Sequence, residues 1–464
     1  MSRAEFAEPG GTAVPGRGAS VLVLGLGTSG EAAVRHLIRL GADVTAVDEA
    51  DDAALRERAD ALAGARIVLG DAAAGPESAA TVDLVVASPG VPEHAPSLGA
   101  ARAAGVPVWS EVELAFRLAD APILGITGTN GKTTTTGMLA ASLVEAGVRA
   151  TPAGNIGFPL VDAAVEGNEV IVAELSSFQL RHVVSFRTPV GALLNVADDH
   201  LDWHGTFDAY VAAKARLFER QASDDFAIHH ADAECARAAG GSGGVLVPFS
   251  VGPPPKGGAG VRDGKIVVPQ GDVVYTAALQ ARGAPALANA VAAAAAAAAF
   301  GAPLEPIARA LAEFKPLPHR MELVASIGGV SYVNDSKATN PHAVLAALDG
   351  LERVVLIAGG RNKGLDLSSL TAAVGSVRAV VAIGEAGPEI ADSFTASGVP
   401  AERAGSMDEA VARAAATATA GDTVLLSPGC ASFDMFADYK ARGESFRAAV
   451  KRLSAGNASG GGNA

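Results

Sequence analysis

The chain has 464 residues, 49% hydrophobic but only 5% aromatic, and its 50 acids against 36 lysines and arginines give a formal net charge of −14. That length allows two or three domains with full cores, and the shortage of aromatics beside abundant alanine points to helices packed on sheets rather than a β-sandwich. The negative balance, with no Lys/Arg-rich block, excludes a nucleic-acid surface, so an anionic ligand has to be met by local groups.

Residues 1–18 carry acids and prolines without an apolar stretch, and read as a flexible extension rather than a signal peptide. A strand pattern follows from Val21 to Gly25, then Leu26-Gly27-Thr28-Ser29-Gly30, a helical pattern to Leu40, and a second strand, Val44 to Val47, ending at Asp48. Glycines at 25, 27 and 30 with an acid about twenty residues on match the dinucleotide fingerprint. The motif reports phosphate and not nicotinamide, and no hydride-transfer constellation follows, so a nucleotide diphosphate is expected here in preference to NAD. A further strand, Val82 to Ala87, ends in the tight turn Ser88-Pro89-Gly90, where an open α/β sheet has its ligand crevice.

Residues Leu124 to Thr136 read LGITGTNGKTTTT, the pattern of a strand, a phosphate-cradling loop and the first turn of a helix. Glycines admit backbone N–H groups to phosphate oxygens, Lys132 can reach the outer phosphates, and a threonine hydroxyl can bind Mg²⁺. The strict P-loop spacing is not met, because Gly125 comes one residue early. Val170 to Glu174 reads as a buried strand ending in a carboxylate, the placement of a Mg²⁺ ligand facing such a loop. Leu193 to Ala197 reads as another strand, followed by Asp198-Asp199-His200-Leu201-Asp202-Trp203-His204, a candidate second cation site. Residues 240–264, rich in Gly and Pro, read as loops and short strands. The alanine run Ala292 to Ala299 reads as a buried helix, too short to span a bilayer.

The third stretch places strands at Val354 to Ala358, Val377 to Ile383 and Thr423 to Leu426, each ending in a glycine-bearing turn, a doubly wound pattern again. Cys235 and Cys430 lie far apart without metal-ligand spacing, as reduced cytoplasmic thiols do. The fold expected is α/β in three domains. These are an N-terminal Rossmann-like domain for a nucleotide diphosphate moiety (19–110), a central P-loop ATPase-like α/β domain (111–316) and a C-terminal Rossmann-like α/β domain (317–453), with a disordered tail from 454 to 464.

With these pieces in place the chain resembles the Mur ligases, ATP-dependent amide-forming enzymes of peptidoglycan synthesis. The strings that carry the resemblance are Gly128-Thr-Asn-Gly-Lys-Thr-Thr134, Gly154-Asn155-Ile-Gly157, Glu174-Leu-Ser-Ser-Phe-Gln-Leu180, Asp199-His200-Leu-Asp202, Leu317-Pro-His-Arg320, Asn334-Asp-Ser-Lys-Ala-Thr-Asn340 and Ser427-Pro-Gly-Cys-Ala-Ser-Phe-Asp434. The third and sixth favour the branch that adds D-glutamate over sisters adding other amino acids.

The resemblance implies a cytoplasmic monomer acting on UDP-N-acetylmuramoyl-L-alanine, D-glutamate and ATP with two Mg²⁺, and no nucleic-acid or membrane partner. It gives the ATP phosphates to Gly128, Thr129, Asn130, Gly131, Lys132, Thr133 and Thr134. One Mg²⁺ falls to Thr133 and Glu174, and the other to His200. Lys214, which as a bare feature is a surface helix lysine, matches the lysine that the family carbamylates, and Lys132, Lys214 and His200 are the catalytic set. Asn289 is implied for adenine, although Pro285-Ala286 replaces the His-Asn pair usual ahead of it. Arg320 and Asp335 are implied for ATP phosphate and ribose, with Lys337 and Thr339 bordering the same cleft. Gly27, Thr28, Asp48 and Ser88 fall to the uridine diphosphate, Asn155 to the muramoyl part, and Lys363, Ser432 and Phe433 to D-glutamate, with Tyr439 nearby. Other ligases of this architecture, including folylpolyglutamate-type enzymes, are the nearest alternative.

Overall fold

The computed structural model describes residues 3–70, 77–155, 157–280 and 283–460. The chain divides into two compact units, one of residues 1–196, 203–278 and 289–313, the other of residues 197–202, 279–288 and 314–464. The first unit holds two parallel sheets and a small antiparallel one; the second holds a single six-stranded sheet.

Runs of Val, Leu and Ile without polar alternation build the parallel sheets, as expected for strands covered on both faces. The N-terminal sheet runs in the order Arg66–Leu69, Asp43–Asp48, Ser20–Leu24, Leu84–Ala87, Val108–Ser110, parallel throughout. The order reverses between Ser20–Leu24 and Leu84–Ala87, which opens a crevice at their carboxyl ends. Helix Thr28–Arg39 packs so closely on the first strand that a Cβ on Gly30 would lie 1.9 Å from the Gly25 carbonyl oxygen. Only glycine fits there.

The first residues are not a flexible extension. Helix Arg3–Ala7 buries Phe6 completely against Trp109, whose indole Nε1 donates to the Phe6 carbonyl at 3.0 Å. Arg3 donates to the carbonyls of Ala80, Val82 and Ala104. One aromatic and one arginine are enough to hold a segment whose overall composition suggested disorder.

The central sheet runs Val245–Phe249, Phe226–His230, Val190–Leu193, Ile123–Thr127, Val170–Glu174, Ala150–Gly154, again all parallel. The strand expected at Leu193 to Ala197 in fact ends at Leu193. Past that point the chain leaves the sheet because Asn195 braces the neighbouring loop. It accepts from the Asn130 amide at 2.9 Å and donates back to the Asn130 carbonyl at 3.1 Å. Strands Gly260–Arg262, Lys265–Val268 and Gly271–Tyr275 form the antiparallel sheet. Helix Ala284–Ala299 carries the alanine run, and Ala290 to Ala297 are buried along it. Among the described residues, no helix is long and apolar enough to cross a membrane.

In the second unit the sheet order is Glu322–Ile327, Val330–Asn334, Thr423–Leu426, Val354–Gly359, Val377–Ile383, Ala401–Ala404, with only the first pair antiparallel. Alternate residues of Val354–Gly359 serve opposite cores. Leu356 and Ala358 pack with Ile390 and Phe394, whereas Val355 and Ile357 pack with Phe446 and Val450. Helix Tyr439–Gly460 runs past 453, where a disordered tail had been expected. Nothing in Ser454-Ala455 stops it, and Gly456 is a tolerated helix residue at the cost of about 1 kcal/mol. Residues 461–464 lie outside the described residues.

Candidate active site

The carboxyl ends of the N-terminal strands enclose a cavity of about 440 Å³ lined by Gly25, Gly27, Thr28, Asp48, Ser88 and Pro89 among others. All four residues expected to hold a diphosphate-linked substrate therefore line one cavity. Asp48 is committed to the backbone, one oxygen accepting the Leu26 amide at 2.7 Å and the other the Ala50 amide at 3.0 Å. The Ser88 hydroxyl donates to the Gly25 carbonyl at 2.9 Å and so ties the two turns together.

The triphosphate-type loop sits between strand Ile123–Thr127 and helix Lys132–Glu145. Gly131 caps that helix at φ 87°, in the left-handed region where a Cβ is disfavoured. A helix N-terminus of this kind turns its first backbone amides toward the loop, where an anion can be received. Lys132 Nζ folds back onto the carbonyls of Gly128 at 2.7 Å and Thr129 at 2.9 Å. Lys214 is no surface lysine: it is 1% exposed, and its Nζ donates to the same Gly128 carbonyl at 2.9 Å. It also lies 4.4 Å over the Tyr210 ring, and the Tyr210 hydroxyl meets Thr129 Oγ1 at 3.0 Å. Asn289 docks against this loop. Thr135 Oγ1 donates to its Oδ1 at 3.3 Å, and a Cβ on Gly131 would lie 2.2 Å from that oxygen.

Strand Val170–Glu174 delivers the buried Glu174. Its Oε1 accepts from Asn155 Nδ2 at 2.9 Å, while Oε2 is buried without a hydrogen-bond partner. An unpaired buried carboxylate oxygen is costly unless a ligand or cation satisfies it. The following turn, Ser176 to Gln179, is a capping box. Gln179 Nε2 also donates at 2.7 Å to the buried Glu111, whose burial pushes its carboxyl up to about 7 against the pull of that hydrogen bond.

Within the second unit, Asp335 is buried, and its carboxyl is raised to about 7 by burial although Ser427 Oγ, the Met321 amide and Arg320 pull the other way. Lys337 lies 4.0 Å over the Tyr439 ring. Thr339 is half-buried. The turns after Val354–Gly359 and Thr423–Leu426 are joined by reciprocal bonds between Arg361 and Ala431, so Lys363 and Ser432 belong to paired turns. Ser432 is buried, but Phe433 is 65% exposed.

His200 has φ 54°, a left-handed backbone uncommon outside glycine. Its neighbour Asp199 is not poised as a cation ligand, because its Oδ1 takes Lys363 Nζ at 2.5 Å and its Oδ2 takes Asn340 Nδ2 at 3.0 Å. Burial opposes the Asp199 carboxylate, but the charges of Lys363 and His200 outweigh it and hold its pKa below the ordinary value.

Sequence reasoning missed Asn195, Tyr210, Asn340, Asp199 as a lysine partner, and Gln179 with Glu111. Tyr210 had a readable signal, standing one helical turn before Lys214 on helix Phe207–Ala215. The others pair with residues far away in the chain and left none.

Comparison with known proteins supplies the rest. Residues 19–110 match the Mur ligase MurD-like N-terminal domain, residues 126–297 the Mur ligase middle domain, and residues 319–430 the Mur ligase glutamate ligase domain. The chain is 47% identical to a UDP-N-acetylmuramoylalanine–D-glutamate ligase of Frankia casuarinae over 95% of each chain. It is 43% identical to the protein of that name from Desulfitobacterium hafniense, over 93% of this chain and 97% of the other. Among solved structures, a pseudomurein peptide ligase type C from Methanothermus fervidus shares the fold with a TM-score of 0.60 at 20% identity, covering 94% of this chain and 100% of that one. Three domain matches in series and relatives aligned along nearly the full length show that the chain belongs to the Mur ligase family, as a member of its MurD type.

Proposed function

We propose that the chain is an ATP-dependent ligase that joins D-glutamate to UDP-N-acetylmuramoyl-L-alanine through an acyl phosphate, releasing ADP and phosphate. The family couples ATP, with Mg²⁺, to amide-bond formation. The observation that carries the reading within this chain is the loop at Gly128 to Thr134. Two lysines converge there on the Gly128 carbonyl, and the strand next to the loop's own ends in a carboxylate with one unpaired oxygen.

The substrate's carboxylate attacks the γ-phosphorus of ATP, an O–P bond forms, and ADP leaves. The amine of D-glutamate then attacks the acyl carbon, gives up a proton, and expels phosphate. Two anions meet in the first step, so the groups at Lys132 and the loop amides have to offset their repulsion before the reaction begins. Thr129, Asn130, Thr133 and Thr134 supply further donors along the same loop. In the second unit Arg320 and Asp335 serve ATP, with Lys337 and Thr339 beside them. Lys363, Ser432 and Phe433 receive D-glutamate, with Lys363 exchanging its Asp199 partner for a substrate carboxylate.

Among the described residues no group of three or more His, Cys, Asp or Glu side chains is arranged as a metal site. Mg²⁺ usually binds through one or two carboxylates together with substrate phosphates. When bound, Mg²⁺ would screen the phosphate charge. Glu174 Oε2 and Thr133 would suit one ion as oxygen donors, His200 would serve the second, and Lys214 would add an oxygen ligand if carbamylated. The chain is read as a cytoplasmic monomer with small-molecule partners, including the muramoyl group at Asn155.

The deciding experiment incubates the protein with UDP-N-acetylmuramoyl-L-alanine, ATP and one amino acid at a time, and weighs the product. One added glutamyl unit with D-glutamate, and none with L-glutamate or diaminopimelate, is the expected result. Equal use of all three, or ATP turnover without any amino acid, would refute the specificity.

A further inference from the structure

The cavity beneath Gly27 and Ser88 has carboxylates where its ligand needs cations. Asp48 and Glu49 stand in its lining, and among the described residues no lysine, arginine or histidine lines it. A nucleoside diphosphate brings at least two negative charges. The N-terminus of helix Thr28–Arg39 offers the equivalent of only about half a unit charge in return. The missing cation has to reach in from just outside the lining.

Arg58 stands there. It lies on helix Ala53–Ala61, and its Nη1 donates at 3.2 Å to the carbonyl of Leu26, the residue between the two lining glycines Gly25 and Gly27. Its ion pair with Glu31 is 3.6 Å long, beyond hydrogen-bond distance. Arg56 of the same helix differs, because Asp51 holds it by two bonds of 2.6 and 2.8 Å. Arg35 is likewise held by two bonds to Asp162, at 3.1 and 3.3 Å.

Building on the proposed placement of the uridine diphosphate in this cavity, we infer that Arg58 is the specificity residue that reads the substrate's diphosphate. A guanidinium presents its donors in a planar fork. One arm can keep the Leu26 carbonyl while another takes a phosphate oxygen, so the contact that fixes the loop also aims the charge.

The test compares UDP with uridine by titration calorimetry on the full chain. The unaltered protein should bind UDP more tightly than uridine by about tenfold or more, the scale of one charge-assisted contact. Arg58→Ala should lose most of that margin and leave uridine binding unchanged, and Arg58→Lys should recover part of it. Arg58→Gln keeps a donor for the Leu26 carbonyl without the charge, and should behave as Arg58→Ala does even if the alanine variant melts early. Undiminished UDP affinity in Arg58→Gln, or equal losses for UDP and uridine, would overturn the role of Arg58 while leaving the cavity's assignment intact. An unaltered protein that binds neither compound would overturn the cavity's assignment, and the role of Arg58 with it.

Discussion

Replacing Lys132 tests the site most directly. Its Nζ bonds the carbonyls of Gly128 and Thr129 at 2.7 and 2.9 Å, so it stitches the loop that precedes its own helix. Hydrogen bonds to a charged group contribute about 1.5–3 kcal/mol each when well buried, and less at a half-buried site such as this one. Lys132→Ala should therefore cost about 1–2 kcal/mol of stability, enough to lower the melting midpoint without unfolding the chain. The catalytic cost is larger. A preorganised group that offsets charge developing in the transition state is worth about 3 kcal/mol, a fall of roughly 150-fold in turnover.

Lys132→Arg separates the two effects, because it keeps the charge while changing the geometry at the carbonyls. The assay is ADP release with all three substrates saturating, alongside a melting curve for each variant. Turnover of Lys132→Ala within about threefold of the parent would remove the lysine from phosphate binding. An activity loss fully matched by loss of folded protein would reduce Lys132 to a brace for the loop.

Three further changes probe separate parts of the molecule. Lys363→Ala leaves the buried Asp199 carboxylate with Asn340 and the His200 ring 3.7 Å away but without its ammonium partner, and should cost about 2–3 kcal/mol, the low end for a broken buried pair because Lys363 is partly exposed. It should also raise the D-glutamate KM far more than the ATP KM. A stability loss that Asp199→Asn fails to relieve in the double variant would contradict the pairing. Phe6→Ala should cost about 3–5 kcal/mol by opening a cavity beside Trp109, and a change within ~0.5 kcal/mol would return the first residues to a loose extension. Glu111, raised to about 7 by burial, contributes stability that is fully present below its ordinary carboxylate value and lost as pH rises through 7. Glu111→Gln cannot ionise, so its unfolding midpoint relative to the parent should climb between about pH 5 and about pH 8; a difference flat across that range would refute the buried-acid assignment.

What the sequence reveals depends on whether a function is written in neighbouring residues. The loop proposed for phosphate is, because Gly128, Gly131, Lys132 and the threonines are near-consecutive and local geometry alone brings them together. The cavity proposed for the diphosphate is nearly so: its glycines are local, and the strand order that brings Ser88 to Gly25 follows from the parallel βαβ rule. Pairing between distant segments is different in kind. Asn195 braces Asn130 across 65 residues, and Asp199 takes Lys363 across 164, each choosing one partner among many that composition would have permitted. The run Asp198 to His204 reads as a candidate cation site because three acids and two histidines fall within seven residues. Once folded, Asp199 turns to an ammonium and an amide instead, and His200 takes a left-handed backbone beside it. Exposure is the third kind of information that the sequence withheld. Lys214, which reads from the sequence as a surface residue, is buried under a tyrosine ring, and the large apolar Phe433 stands in the open. Both reversals break the ordinary partition of charged and apolar side chains, and such breaks cost stability unless something compensates. At Lys214 the partners on hand are the Gly128 carbonyl and the Tyr210 ring, which places its compensation in the loop at Gly128 to Thr134 and ties the lysine's burial to that loop rather than to the core.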